Sequence, residues 1–458
     1  MTDWFAEVDR CLAGPATAPM PDRMRIGVGA GFAGDRAEPA RLLARFGKLD
    51  ALVFECLAER TIGLAHARVR SGKSGFDPRI VDRLQQSFPL LEPGAVVTTN
   101  AGAADPIGAA AAVREALDGH GRPRVAAVTG DSVLGRLDRG ATRIWDSDLT
   151  LADLGERVIS VNVYLGASPI VEAMDDGADI VITGRCGDAA LFAAPLIARF
   201  GWAFDDVQLL VAGTLVGHLL ECGAQLTGGY FADPGVKDVP DLWKVGFPFA
   251  DVRADGEAIY ATLPGAGGRL DRATVLEQLL YEIDDPEGYR TPDVTLDLTH
   301  VDIDEMPDGR VRVAGARGAA PPETLKASVA VDDGYAAVAE IAYAGPHCMD
   351  RARLAAEIVT TRWRRIHGLP GVPEVALVGA NSTRAWSTAT GTPSEVRLRM
   401  SVRALDERTA RTLCDEVEGL YTNGPAAGGG VTGVVSRSIG VVSVAVPRDV
   451  VEATVTFP

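Results

Sequence analysis

From Arg25 to about Trp243, short apolar runs rich in β-branched residues alternate with helix-like stretches, and this alternation restricts the fold more than any other feature. The runs read RIGV (25–28), ALVFEC (51–56), AVVTTN (95–100), RVAAVTGD (124–131), VISVNVYL (158–165) and DIVITGR (179–185). Continuously apolar strands separated by helices indicate a parallel sheet covered on both faces. The expected class is therefore α/β: a doubly wound, mostly parallel sheet domain followed by α+β modules.

After the Pro- and Gly-containing stretch near 234–248 the pattern changes to a strand pair, a helix TVLEQLLYEI, the runs VTLDLTHVDI and RVRVAGARG, and a hairpin-like LKASVAVDDGYAAVAEIAYAG. The helix MDRARLAAEIVTTRWRRIH and the linker GLPGVPE follow. A last block holds strands EVALVGA and EVRLRMSVRA, a helix LDERTARTLCDEVEGLY, the glycine-rich NGPAAGGG and terminal strands SIGVVSVAV and VEATVTF. The expected organisation is an N-terminal extension (1–23), an α/β ligand-binding domain (24–245), an α+β domain (246–368) and a small C-terminal α+β domain (372–458).

Sixty-two acidic residues against 45 basic ones give a formal charge of -17, which disfavours nucleic acid and anionic membrane surfaces as partners. An anionic substrate would need a local cluster of Arg, Lys and backbone N–H groups. The opening MTDWFAEVDRCLAG has no apolar core of a secretory signal, and no apolar run approaches the ~18 residues of a spanning helix. Six cysteines without a CxxC pair argue against a disulfide framework and a structural zinc site. The expected setting is the cytoplasm.

In parallel sheets, ligands bind beyond the carboxyl ends of the strands. Glu55, Cys56, Asn100, Asp131, Asn162, Tyr164 and Arg185 stand at those ends, with Asp105 and Asp188 just beyond. Any single one of them can simply cap a helix or close a turn; together they mark a site. Arg60 and Arg185 are candidate oxyanion binders, because a guanidinium offers two parallel hydrogen bonds; structural ion pairing is the other reading of each.

The segment HLLECGAQLTGGYFADPGVKDVPD (218–241) carries the densest chemistry. On one continuous helix His218, Glu221, Cys222 and Gln225 share a stripe, giving a base, an acid, a thiol and an amide on an otherwise apolar helix. His218 and Glu221 suit proton transfer near neutral pH, and Cys222 suits nucleophilic attack if its thiol is made more acidic; a mutually satisfied structural network is the alternative. Zinc on His218 and Cys222 lacks a third ligand that spacing can name, so no metal is assigned. Thr227, Gly228, Gly229, Asp233 and Lys237 form a loop able to fold over a substrate, Lys237 being its best cation.

Gly29, Gly31 and Gly34 have GxGxxG spacing after a strand, with Glu55 ending the next one. That is the outline of a dinucleotide fingerprint, but an ordinary glycine-rich ligand loop has the same outline. No cofactor is assigned, and a CoA-linked substrate remains compatible.

The segments GAGFAGDR, LVFECLAERTI, TNAGAADP, VNVYLGASPIVEAMDDGADIVITGR, GTLVGHLLECGAQLTGGYFADPGVKDVPDL, DPEGYRTPDV and IAYAGP resemble the signatures of the AtuA family of acyclic terpene utilisation proteins. The resemblance covers about residues 24–360, and the NGPAAGGG block looks like a smaller C-terminal module that many members carry. It implies a role in bacterial catabolism of branched or terpenoid acids, beside acyl-CoA enzymes. Where members often read GRVADPS, this chain reads GRCGDAA from Gly184, which points to an altered substrate.

These readings lead to a lyase or hydratase acting on a small carboxylic acid or acyl thioester, with His218, Glu221 and Cys222 moving protons while Arg185, Arg60 or Lys237 holds the carboxylate or carbonyl. The alternatives are a nicotinamide or flavin oxidoreductase resting on the Gly29–Gly34 loop, and a non-catalytic partner subunit of an acyl-CoA carboxylase. A homo-oligomer is expected.

Overall fold

The structure, a computed structural model, describes residues 9–17, 22–382 and 393–458. Parts of the expected N-terminal extension, 1–8 and 18–21, lie outside the described residues.

The six apolar runs become strands β1 (Arg23–Ala30), β2 (Ala51–Phe54), β3 (Val96–Thr99), β4 (Val125–Thr129), β5 (Val158–Val163) and β6 (Ile180–Thr183). Every residue of β2 and β6 is buried, which is why these runs show no polar alternation. Each buried Val, Leu, Ile or Phe side chain contributes about 1.5–3 kcal/mol. Between the strands lie helices α1 (Glu38–Phe46), α2 (Glu59–Arg70), α3 (Arg79–Ser87), α4 (Pro106–Ala116) and α5 (Ser168–Asp175), with α6 (Ala190–Phe200) after β6. Asp105 caps α4 by accepting the Gly108 N–H at 2.9 Å, so at that position the plain capping role holds.

β1, β2, β3, β6 and β4 are neighbours in that order and run parallel. Antiparallel strands extend this core on both sides into a ten-stranded sheet. Beyond β1 come β7 (Phe249–Arg253), β8 (Ala258–Ala261), Val311–Ala314 and Asp302–Glu305; beyond β4 comes Thr454–Thr456. The α/β class holds.

Three details differ from expectation. β5 is not a strand of this sheet but pairs with the strand Thr324–Ala344; unlike the parallel strands, it carries a buried serine and asparagine, Ser160 and Asn162. The change of pattern near 245 is not a break in the sheet, because β7 pairs with β1 from Arg23 to Gly27. The hairpin-like run is one strand of 21 residues: Gly334 takes a left-handed φ of +74° within it, and residues 335–344 pair without a break against Ala404–Glu395.

The chain divides into two compact units, Met1–Ala330 with Val441–Pro458, and Val331–Gly440. In the second unit, helices Cys348–Arg365 and Glu407–Asn423 pack with strands Glu374–Val378 and Glu395–Ala404 around a core that includes Ile341, Tyr343, Trp363, Leu398 and Leu413. The 368–374 linker lies inside this unit, whereas Thr454–Thr456 belongs to the first. NGPAAGGG joins that last helix, ending at Asn423, to a strand beginning at Gly428.

Candidate functional site

The parallel strands deliver their following residues to one edge of the sheet. After β2, Glu55 Oε1 accepts the Leu57 N–H at 2.7 Å and an Asn100 side-chain N–H at 3.0 Å. Asn100, after β3, accepts the Cys56 N–H at 2.6 Å. After β4, Asp131 accepts from Asn162 (2.8 Å) and from the Arg185 backbone N–H (3.0 Å). Asn162 thereby orients Asp131, which holds the chain carrying Arg185.

Arg185 is the centre of this group and is 2% exposed. Its guanidinium donates to the Leu57 carbonyl and, at 3.3 Å, to Asp188 Oδ2, with Asp188 Oδ1 3.1 Å from Nη1. It stacks on the Tyr164 ring at 4.0 Å. Tyr164 donates to Glu59 at 2.7 Å, and Glu59 also takes the Lys326 ammonium at 2.6 Å. Glu59 thereby ties Tyr164 to Lys326. Arg185 Nε and Asp188 Oδ1 are buried yet have no hydrogen-bond partner among the described residues, a costly arrangement that is common at functional sites.

The second wall comes from helix α7 (Val207–Leu220), capped by Asp206. Its apolar sequence is buried from Leu210 onward with few breaks, and Gly217 permits close packing: a Cβ there would sit 2.4 Å from the Ala189 carbonyl oxygen. The helix stops at Leu220; Glu221 is its cap residue, and Gly223 turns left-handed (φ +57°) into the 3-10 turn Gly223–Thr227. His218 and Glu221 keep the expected spacing, but Gln225 leaves the stripe and pairs with the Tyr281 hydroxyl. The expectation of one continuous helix through Gln225 is corrected by that glycine.

His218 Nε2 lies 3.0 Å from the Leu279 carbonyl, at the end of helix α8 (Arg272–Leu279), and Nδ1 lies 3.0 Å from Glu221 Oε1. A carbonyl can only accept, so Nε2 carries a hydrogen, and the contact with Glu221 then requires a proton between Nδ1 and the carboxylate. Burial pulls the His218 imidazolium down, but the hydrogen bond and charge of Glu221, with the Leu279 carbonyl, outweigh it and raise its pKa. Glu221 is itself raised by burial and by Asp188 and Glu282, against the pull of His218. The Tyr289 ring lies 5.3 Å from the imidazole.

The two walls sense each other's charge. Asp188 acts on both Glu55 and Glu221, and Glu55 acts on Cys222. Burial, reinforced by Asp188, pushes Glu55 up to about 8 despite the hydrogen bonds from Asn100 and Leu57 and the charge of Arg185. Burial also lifts Asp188 against the pull of Arg185, and lifts Asp131 to about 6. Cys222 departs from expectation: burial and the Glu221 charge raise its thiol above the ordinary range, the opposite of nucleophile activation. The substituted Cys186 is likewise buried, taking a 3.4 Å hydrogen bond from Thr183.

Other candidates do different work. Thr227 donates to the carbonyls of Gly246 (2.7 Å) and Ala224 (3.1 Å), anchoring its loop. Gly228 is left-handed (φ +96°), and Gly229 is bonded through its N–H to the Ala224 carbonyl. Asp233 closes an exposed turn with Lys237, whose ammonium is held by Glu277 at 2.6 Å. Arg60 is exposed. Gly31 packs on the Cys222–Gly223 backbone, where a Cβ would come within 2.3 Å, and Gly29 packs on the Phe54 ring. The Gly31 and Phe32 N–H groups, which would meet a pyrophosphate, donate to Asp35 (2.7 and 3.3 Å), and Gly34 precedes α1 by a further turn.

A cavity of about 260 Å³ lies elsewhere, lined by Leu42, Leu43, Trp243, Phe247 and Leu263 among others, with none of the strand-end groups and none of His218, Glu221 and Cys222 in its wall. The titratable groups converge at the strand ends and the end of α7, away from this apolar cavity. Among the described residues no group of three or more His, Cys, Asp or Glu is arranged to hold a metal ion, and no helix is long and apolar enough to cross a membrane.

Sequence reasoning missed Tyr289, Glu282 and Lys326. Tyr289 stands in the segment DPEGYRTPDV, already singled out, and could have been found there; Lys326 and Glu282 carry no local signal. The family model described as acyclic terpene utilisation family protein AtuA matches residues 24–457, and so runs through the block expected to be a separate C-terminal module. Comparison with curated proteins and with solved structures gives no match.

Proposed function

The chain belongs to the AtuA family, that of acyclic terpene utilisation, and we propose that it is an acid–base enzyme of the lyase or hydratase type acting on a small carboxylic acid or its acyl thioester. The observation that carries this reading is the proton shared by His218 and Glu221 in a buried setting, electrostatically linked to Arg185 and Asp188. Burial and the neighbouring acidic groups raise Glu221, and Glu221 raises His218, so the pair holds a proton that it can exchange with a substrate. Arg185, stacked on Tyr164 and with an unspent Nε–H, is the group best suited to a substrate carboxylate or carbonyl oxygen.

The test is turnover in D2O with branched β-hydroxy and α,β-unsaturated acids, free and as CoA thioesters, followed by proton NMR. Expected are solvent deuterium beside the carbonyl and addition or loss of water, both lost in His218→Asn and Glu221→Gln while the fold persists. Wild-type turnover in either variant overturns the assignment.

A further inference from the structure

We propose that Glu55 is a second proton-handling residue of this site, the acid that protonates a leaving oxygen, with Asn100 as its positioning residue. The inference rests on the acid–base reading above and adds to it a substrate class: a β-hydroxy acid or β-hydroxyacyl thioester.

The geometry is that of a fixed carboxyl with one free end. Glu55 ends β2, inside the parallel core, and is 7% exposed. Its Oε1 already accepts two hydrogens, from the Leu57 N–H and the Asn100 side chain. Asn100 is itself locked by the Cys56 N–H. Oε2 makes no hydrogen bond among the described residues, so a proton on this carboxyl sits there. The ionisable groups facing it are Asp188, Arg185 and Cys186 from the segment after β6, Cys222 from the end of α7, and its neighbour Cys56. Burial and the Asp188 charge keep Glu55 protonated up to about pH 8. Two groups are then available, one to take a proton and one to give it.

In the elimination direction the C–H bond beside the carbonyl breaks and its proton goes to the Glu221 carboxylate. The released electron pair forms the C=C bond as the β C–O bond breaks. Glu55 Oε2–H passes its proton to the departing oxygen, water leaves, and Glu55 is left as the carboxylate until solvent reprotonates it. Hydration reverses each step.

Glu55→Gln keeps an oxygen for both donors but has no proton of this kind to give. With any substrate that the wild type turns over, the variant is expected to lose ~10²–10⁴-fold in kcat, with little change in KM, and to lose an alkaline limb near pH 8 in kcat/KM. Asn100→Ala, which removes a hydrogen bond favouring the carboxylate, moves that limb to higher pH. Difference infrared spectroscopy across the same pH range should show a protonated carboxyl band that disappears near pH 8 and is absent from Glu55→Gln. An active wild type beside an equally active Glu55→Gln, or a carboxyl that titrates in the ordinary range, overturns the role of Glu55 alone. A wild type inert on every acid and thioester overturns the acid–base reading and the role of Glu55 with it.

Discussion

Two arginine–aspartate pairs with buried guanidinium groups lie in the same unit and differ in how completely the fold satisfies and covers them. Arg25 and Asp251 are 1% and 2% exposed. They meet through two parallel bonds of 2.8 Å, and the remaining guanidinium nitrogen donates to the Thr17 and Gly47 carbonyls. Every guanidinium nitrogen donates. Arg185 and Asp188 meet through one hydrogen bond of 3.3 Å and a 3.1 Å ion-pair contact at Oδ1 that has no hydrogen-bond geometry, and Arg185 Nε is left over. A buried ion pair completed by the fold is part of the scaffold; one left incomplete in a cluster of raised carboxyls has capacity for something else.

The sharpest way to break the comparison is to remove one aspartate from each. Asp251→Ala leaves a buried guanidinium without its counter-charge and is expected to cost about 3–5 kcal/mol in urea unfolding. Asp188→Asn, whose side chain is 31% exposed, is expected to cost no more than about 1 kcal/mol, since it also relieves crowding with Glu55 and Glu221. Equal losses would remove the distinction between scaffold and site.

The next effect is a pH dependence. Glu55 is raised to about 8, and Asp131 and Asp293 to about 6, burial being the first cause in each. A carboxyl with a raised folded pKa contributes stability that is complete below its ordinary range and lost as pH rises through the folded value. Unfolding free energy should therefore fall between about pH 5 and 8.5, by on the order of a few kcal/mol, with the upper part of that fall absent in Glu55→Gln. A stability that climbs with pH over this window would contradict the raised carboxyls.

The smallest effect concerns thiols. Cys222 is half-buried and raised in pKa, while Cys11 is exposed. Iodoacetamide at pH 7.5, read by peptide mass spectrometry, should label Cys11 roughly ten times faster or more, because only thiolate reacts. Faster labelling of Cys222 would restore it as a nucleophile.

The parallel core was legible because β2 is apolar throughout and β6 apolar up to Thr183, and the strand ends because polar residues stand out after such runs. The His218–Glu221 pair was legible because i and i+3 meet on any helix. Gln225 was misplaced because periodicity outweighed Gly223, a stop signal present in the sequence. β5 was assigned to the wrong neighbours because strand partners are not written in a run's own composition. The surroundings of Tyr164 were unreadable for a similar reason: Glu59 lies 105 residues before it, and Lys326 is 267 residues from Glu59. GxGxxG spacing alone left two readings open; in the structure Gly29 and Gly31 pack closely on Phe54 and Cys222, and Asp35 takes the Gly31 and Phe32 amides.

The strand Thr454–Thr456 has a consequence for how the protein is made. It covers the outer edge of β4 from 325 residues downstream, with the whole of Val331–Gly440 translated in between. On the ribosome, the outer edge of β4 keeps unpaired backbone groups until those distant residues have been made, a state that invites pairing with another nascent chain. Folding yield, unlike folded stability, therefore depends on how quickly those late residues emerge and on what shields β4 while it waits.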